Sequence, residues 1–212
     1  MSITRAKDAA SIIIYRGRVG AIEVLMGRRR SRASFAPSMY VFPGGALESS
    51  DSKVTTALPF NTQGLPRGAT HRIHELTHTA IRETYEETGL LLGQKGEFAK
   101  VNNPTWVHFH QMGVVPAPHR LAYLGRAITP VESAKRFHAR FFVTAFKHFS
   151  GSLIDNGELL DLRWVPLNAP TELPMFDVTE FMLEEMKRFL HGERKTTPLM
   201  YYRRNRTQIR YE

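Results

Sequence analysis

The sequence predicts an α/β or α+β fold, built as one unit from 212 residues. Three observations carry that expectation. Short apolar runs rich in β-branched and aromatic residues recur along the chain, bounded by turn residues. Among them lies a helical pattern over residues 71–88, closed by Gly89 as a C-cap. No internal repeat, low-complexity tract or clear linker divides the chain.

In chain order, residues 9–15 (AASIIIY) and 21–26 (AIEVLM) read as two strands of a hairpin around Gly17 and Gly20. A basic, small-residue stretch over 27–39 leads into a short strand, 40–42, and the turn Pro43-Gly44-Gly45. Residues 49–70 carry Pro59, Gly64, Pro66 and Gly68 among polar neighbours and read as an irregular excursion. On the following helix Ala80, Ile81, Thr84 and Tyr85 share one side, and Leu90-Leu91-Leu92 continues into the core. Residues 121–127, 139–146 and 162–165 are further strands. Thr179 is the expected cap of a last amphipathic helix reaching Leu190, with Phe181, Met182, Met186 and Leu190 as its apolar set. His108 and His110 alternate around Phe109, the pattern of an exposed strand face, and residues 196–212 read as a polar, basic tail.

Composition narrows the function classes. Nothing approaches the roughly 18–20 apolar residues of a membrane span, and the apolar run near the N-terminus is followed by Arg16 and Arg18, unlike a secretory signal. Cysteine is absent, which removes disulfides and thiolate chemistry and accords with a cytoplasmic location. Lys and Arg number 29 against 20 Asp and Glu, a formal charge of +9, which suits phosphate-bearing partners. Arg28-Arg29-Arg30 with Arg32, just upstream of the glycine turn, is the cluster placed to meet a substrate, with Arg29 as its candidate binding residue; Arg203, Arg204, Arg206 and Arg210 read as a solvated basic face.

The chemistry-bearing segment is Arg82-Glu83-Thr84-Tyr85-Glu86-Glu87-Thr88-Gly89. At helical spacing Glu83, Glu86 and Glu87 project from one face, where like charges repel and a cation removes the penalty. Carboxylate oxygens select a hard cation such as Mg²⁺, Mn²⁺ or Ca²⁺, and Mg²⁺ typically bridges carboxylates to substrate phosphates. Arg82, four residues before Glu86, can hold that carboxylate in position. Upstream, Gly44 and Gly45 after a strand allow close backbone approach to a phosphate.

Arg82-Glu83-x-x-Glu86-Glu87-x-Gly89-Leu90 resembles the second half of the Nudix box, and Gly45 with five residues before Asp51 resembles its first half. The family has Glu where Asp51 stands and an aliphatic residue where Thr84 stands, and it leaves seven residues between the halves. Here the gap runs from Ser52 to Ile81, so the box carries an insertion, at about 52–75. An interrupted box opening Phe-Pro-Gly-Gly-Ala-Leu-Glu is similar to the branch that includes peroxisomal coenzyme A diphosphatases, and the likeness extends through Ile128-Thr129-Pro130 and Arg163-Trp164-Val165. The resemblance implies an α/β/α sandwich with a central mixed sheet and hydrolysis of a diphosphate linkage in a nucleoside diphosphate derivative. It implies Mg²⁺ or Mn²⁺ held by Glu83, Glu86 and Glu87, with Arg82 supporting them, Glu158 as a further ligand or base, and Arg29, Gly44 and Gly45 on the substrate. Coenzyme A or an acyl derivative is the first substrate guess. The coenzyme A signature upstream is matched loosely by Leu25-Met26-Gly27-Arg28-Arg29, with Ser34 and Ser38 where relatives carry Arg and Gly. The insertion, about 52–70, is expected to shape the substrate entrance.

Two rival readings remain on the sequence. An RNA-end or nucleic-acid-binding Nudix protein needs aromatic platforms beside its basic groove, for which Phe35, Tyr40, Trp106 and Phe109 are candidates. His74-Glu75-Leu76-Thr77-His78 satisfies the H-E-x-x-H pattern of zinc metalloproteases, though Ile81 and Thr84 occupy the places of the extended motif's Gly and His. The favoured partner is a small-molecule nucleotide rather than nucleic acid, with no membrane, and homodimerisation is left open.

Overall fold

The computed structural model describes residues 5–18, 20–30, 38–155, 157–168, 172–204 and 206–212. Strand β1 (Lys7–Arg18) is the centre of the molecule. It turns at Gly17 and Gly20 into β2 (Ala21–Arg29), with Arg18 opposite Ala21 and Tyr15 opposite Val24, the expected hairpin. The first half of β1 pairs instead with β4 (Gly44–Ala46), after the two-residue β3 (Tyr40–Val41) has paired with the far end of β2. On the other side β1 runs parallel to β8 (Phe137–Ala145), which pairs antiparallel with β7 (Ala122–Ile128). Strand β9 (Leu159–Pro166) lies antiparallel to β2. The small pair β5 (Gly93–Lys95) and β6 (Val114–Pro116) stands apart.

The expected polar tail belongs to the main sheet. Strands β10 (Pro198–Arg203) and β11 (Arg206–Tyr211) form a hairpin, and β10 lies parallel to β7, so the sheet runs β11-β10-β7-β8-β1-β2-β3. Pro198, Leu199 and Met200 are buried, and those few apolar residues suffice to add the hairpin to an open sheet edge. The sheet is mixed, as expected.

Among the described residues four α-helices accompany it: α1 (Arg67–Thr70), α2 (Ile73–Thr88), α3 (Pro104–Gln111) and α4 (Asp177–Leu190). Side chains alternate along β1, so Ala10, Ile12 and Ile14 join Leu76, Ala80, Ile81, Trp106 and Phe109 from α2 and α3. Ile13 faces the opposite way, toward Met182 and Met186 of α4. A strand buried on both faces needs no polar alternation, which explains the unbroken Ile12-Ile13-Ile14 run. Each such side chain contributes about 1.5–3 kcal/mol when fully buried. The result is an α/β/α sandwich.

Three local expectations change. Helix α2 starts at Ile73 rather than residue 71, because Arg72 takes a left-handed backbone (φ 55°) that separates it from α1; its end is as read, with Gly89 at φ 75° donating its N–H to Tyr85 O at 2.8 Å. Thr179 does not cap α4: it is buried inside the helix, and the capping position is Phe176. His108 and His110 lie on helix α3, begun by the Asn103 side chain and by Pro104 in the first turn. No helix among the described residues is long and apolar enough to cross a membrane.

Candidate active site

The carboxylate helix α2 and the glycine strand β4 meet at one end of a cleft of about 920 Å³. Gly44 sits at φ 154°, and a Cβ there would lie 2.3 Å from Ser11 Oγ. Its N–H donates to Glu87 Oε2 at 2.8 Å. At Gly45 a Cβ would fall 2.4 Å from the Glu83 carboxyl carbon. Gly45 therefore lets β4 lie directly on the Glu83 carboxylate, and Gly44 lets it close on β1 while its N–H reaches Glu87, a closer reason than the general backbone freedom read from sequence.

Glu83 and Glu87 line the cleft together with Gly44, Gly45, Arg29, Arg30 and Glu158. Glu86 does not. An α-helix turns by about 100° per residue, so Glu86 is rotated well away from Glu87 although both follow Glu83 by about one turn. The Glu86 oxygens are taken by Arg82 Nη1 at 2.9 Å and Thr105 Oγ1 at 2.6 Å. Arg30 from the β2 side reaches Gly157, where a Cβ would meet its guanidinium at 2.1 Å, so basic and acidic groups converge on the segment carrying Glu158.

Arg82 is the hub beneath the site, with only 1% of its side chain exposed. Its Nε and Nη2 donate to the two oxygens of Asp51 at 2.8 and 3.0 Å, Nη2 also to Ala46 O, and Nη1 to Glu83 and Glu86. Asp51 is fully buried and further accepts from Thr79 Oγ1, Trp106 Nε1 and the Glu48 N–H. This network ties residues 48–51 to α2 across the intervening segment. Sequence spacing marked Asp51; nothing local marked Thr105 or Trp106, whose roles depend on where α3 packs.

Burial pushes the Glu83 carboxyl up to about 7, against the lowering effect of Arg82 and with Glu86 adding to the rise. Burial likewise holds Glu87 well above the usual carboxylate range, reinforced by Glu83 and Glu158 and opposed by the Gly44 N–H and Arg29. Two neighbouring carboxylates whose charged forms are disfavoured chiefly by burial are a natural seat for a cation. Among the described residues no three His, Cys, Asp or Glu side chains form a ready metal cage. Mg²⁺ does not need one, since it usually binds through one or two carboxylates plus waters and substrate phosphates. Glu83 and Glu87 fit that donor set.

Most of the remaining lining is apolar, with Thr129, Ser133 and Asp177 among it. Ala127, Ile128, Phe137 and Phe141 from β7 and β8, Phe176 and Val178 from the start of α4, and Tyr202 from β10 line the cleft, with Lys135. Tyr202 is oriented by a hydrogen bond to Asp177. These residues were not legible as a site because the C-terminal hairpin reads as a tail. Conversely, no residue of 52–70 lines the cleft. Val54, Phe60 and Ala69 are buried in the core with residues of α2, so this segment packs the helix rather than shaping the entrance. Of the candidate stacking platforms, Trp106 and Phe109 are fully buried, Tyr40 is 4% exposed, and Phe35 lies outside the described residues. In the H-E-x-x-H segment His74 is exposed, while His78 is buried with Nδ1 3.1 Å from Asp51 O, so the two imidazoles share no metal face.

Comparison with known proteins accords with this geometry. No protein-family model matches the chain. The putative nudix hydrolase 7 of Caenorhabditis elegans is 26% identical over 170 residues, 75% of this chain and 51% of that protein, so the chain spans about half the length of this relative. The crystal structure of a NUDIX hydrolase from Alicyclobacillus acidocaldarius superposes with a TM-score of 0.70 at 25% identity, covering 86% of this chain and 91% of that one. The chain has the Nudix fold and is similar in sequence to Nudix hydrolases. The Nudix fold recurs in the NUDIX domain of Shewanella oneidensis NrtR, crystallised with ADP ribose, at a TM-score of 0.53 and 12% identity over 88% of this chain and 90% of that one. The MutT protein of Bacillus halodurans superposes equally well, at 0.53 and 15% identity over 97% of both chains. Asp51, the acid the sequence marked at the end of the glycine segment, pairs with Arg82 of the carboxylate helix.

Proposed function

We propose that the chain is a Nudix diphosphatase that hydrolyses a diphosphate linkage in a nucleoside diphosphate derivative with the aid of Mg²⁺ or Mn²⁺. The observation that carries this is the pair Glu83 and Glu87 packed on Gly44 and Gly45 at one end of a large cleft, with Arg29 and Arg30 beside them. Glu83 and Glu87 would hold the cation, with Glu86 as the third candidate ligand and Glu158 as a further ligand or base. When bound, the cation lowers the pKa of a water and neutralises charge on the phosphoryl oxygens. Arg29 and Arg30 supply charge-assisted hydrogen bonds to the diphosphate. The glycine backbone lets those oxygens approach closely.

The apolar reach between Ile128 and Tyr202 suits the uncharged part of such a substrate. Coenzyme A or an acyl derivative is the first candidate, ahead of ADP-ribose, NADH and other nucleoside diphosphate conjugates; the known substrates of remote Nudix folds do not decide among these. A cytoplasmic location belongs to the same proposal. The test is product release with Mg²⁺ across coenzyme A, ADP-ribose, NADH, dinucleoside polyphosphates and capped RNA, with Glu87→Gln as control. Hydrolysis of one class, lost in the variant, is the expected result. Equal turnover by Glu87→Gln would remove the carboxylate pair from the chemistry.

A further inference from the structure

Helix α3 contributes nothing to the cleft, yet its first turn touches two of the acidic side chains that build the site. Thr105 Oγ1 donates to Glu86 Oε1 at 2.6 Å, and Trp106 Nε1 donates to Asp51 Oδ1 at 3.2 Å. The turn is itself well fixed. Asn103 Oδ1 accepts from the Thr105 and Trp106 N–H groups at 2.9 and 3.3 Å, and Asn103 Nδ2 reaches Glu48 Oε2 at 3.3 Å. Trp106 is fully buried and packs edge-on against Phe109 and Phe98.

Glu86 needs such a fixed partner. Its side chain is 30% exposed, and Arg82 Nη1 is shared between Glu86 Oε2 and Glu83 Oε1, both at 2.9 Å. One shared donor fixes a distance and leaves the carboxylate free to swing about it. A second donor on the opposite oxygen, held by a different helix, fixes the plane. A fixed Glu86 in turn fixes the Arg82 Nη1 that also donates to Glu83.

We propose that Thr105 is a positioning residue that acts through Glu86: by fixing the plane of that carboxylate outside the cleft it holds the Arg82 Nη1 shared with Glu83, and so sets the Glu83 carboxylate that, with Glu87, holds a divalent cation. The inference rests on the metal reading given above. Partners that orient a ligating carboxylate typically change metal affinity about 10–100-fold when removed. Valine at 105 keeps the volume and deletes only the hydroxyl, and water can reach the exposed side of Glu86, so the fold is expected to persist.

The experiment is Mn²⁺ binding to the substrate-free full chain, followed by electron paramagnetic resonance, with near-ultraviolet circular dichroism as the check on tertiary structure. Thr105→Val should weaken Mn²⁺ binding about 10–100-fold, and Thr105→Ser should restore it. Combined with Glu86→Gln, Thr105→Val should add nothing further, since both remove the same contact. Wild-type affinity in Thr105→Val, with binding weakened in Glu83→Gln, overturns the role of Thr105 and leaves the metal reading standing. Unchanged affinity in both overturns the two together. If valine disturbs the fold, Thr105→Ala and Thr105→Ser decide the matter, because a requirement for the hydroxyl separates them.

Discussion

At the scale of single residues, the site depends on two contacts that tolerate no added atom and one cation that tolerates no loss. A Cβ at Gly45 would have to displace the Glu83 carboxylate. Gly45→Ala should therefore keep the fold and lower kcat/KM by about 100-fold, the usual consequence of an ångström-scale misplacement of a reacting group. Steady-state kinetics on the substrate found by the panel, beside a circular dichroism spectrum, check this. Arg82 neutralises fully buried Asp51 through a bidentate pair. Arg82→Ala leaves that carboxylate buried and unpaired, for which a loss of about 3–5 kcal/mol is expected in urea unfolding. Arg82→Lys should recover only part of the loss, because an ammonium cannot reproduce the fork that also reaches Ala46 O and both helix glutamates.

At the scale of elements, α3 and the C-terminal hairpin decide what the cleft is. The Asn103 side chain is the cap of α3, so Asn103→Ala should cost about 1 kcal/mol in unfolding free energy. The same change should loosen the first turn that holds Glu86 and Asp51. For the hairpin, removal of residues 196–212 is the sharper test. It strips Leu199 and Met200 from the core, exposes the β7 edge and removes Tyr202 from the cleft. The truncated chain should aggregate or lose its cooperative unfolding transition, whereas a mere tail would leave both the transition and the fold intact.

At the scale of the whole molecule, two histidines held down by burial should make the fold sensitive to acid. On the central sheet His138 is held down to about 4 by burial, with Arg140 and Arg126 adding to the effect and Asp8 opposing it. His78, behind the site, is lowered as well, chiefly by burial. A histidine depressed in the folded state leaves the unfolded chain binding more protons as pH falls. The stability is therefore present above the unfolded value, about 6.5, and is lost as pH drops toward about 4. After allowance for solvent screening, His138 accounts for about 1 kcal/mol of that loss. Urea unfolding at pH 7.5 and pH 5 should show it, and His138→Asn should flatten the difference. A slope unchanged in the variant would assign the acid sensitivity elsewhere.

Local chemistry was enough for the strands around residues 9–26, for the capped carboxylate helix and for the glycine turn, because each is specified by neighbours within one turn or one hairpin. The pairing of Arg82 with Glu86 follows from helical spacing alone. What the tertiary structure decided is everything that joins segments distant in the chain. It turned Glu86 toward Thr105 rather than the cleft, brought Trp106 onto Asp51, and buried Val54, Phe60 and Ala69 in the core with α2. It also made a basic tail into two strands whose Tyr202 lines the site. Periodicity reports which face of an element is apolar, not which partner covers it. Partner choice is a matter of packing, and that exists only once the sheet and its two helical layers are assembled.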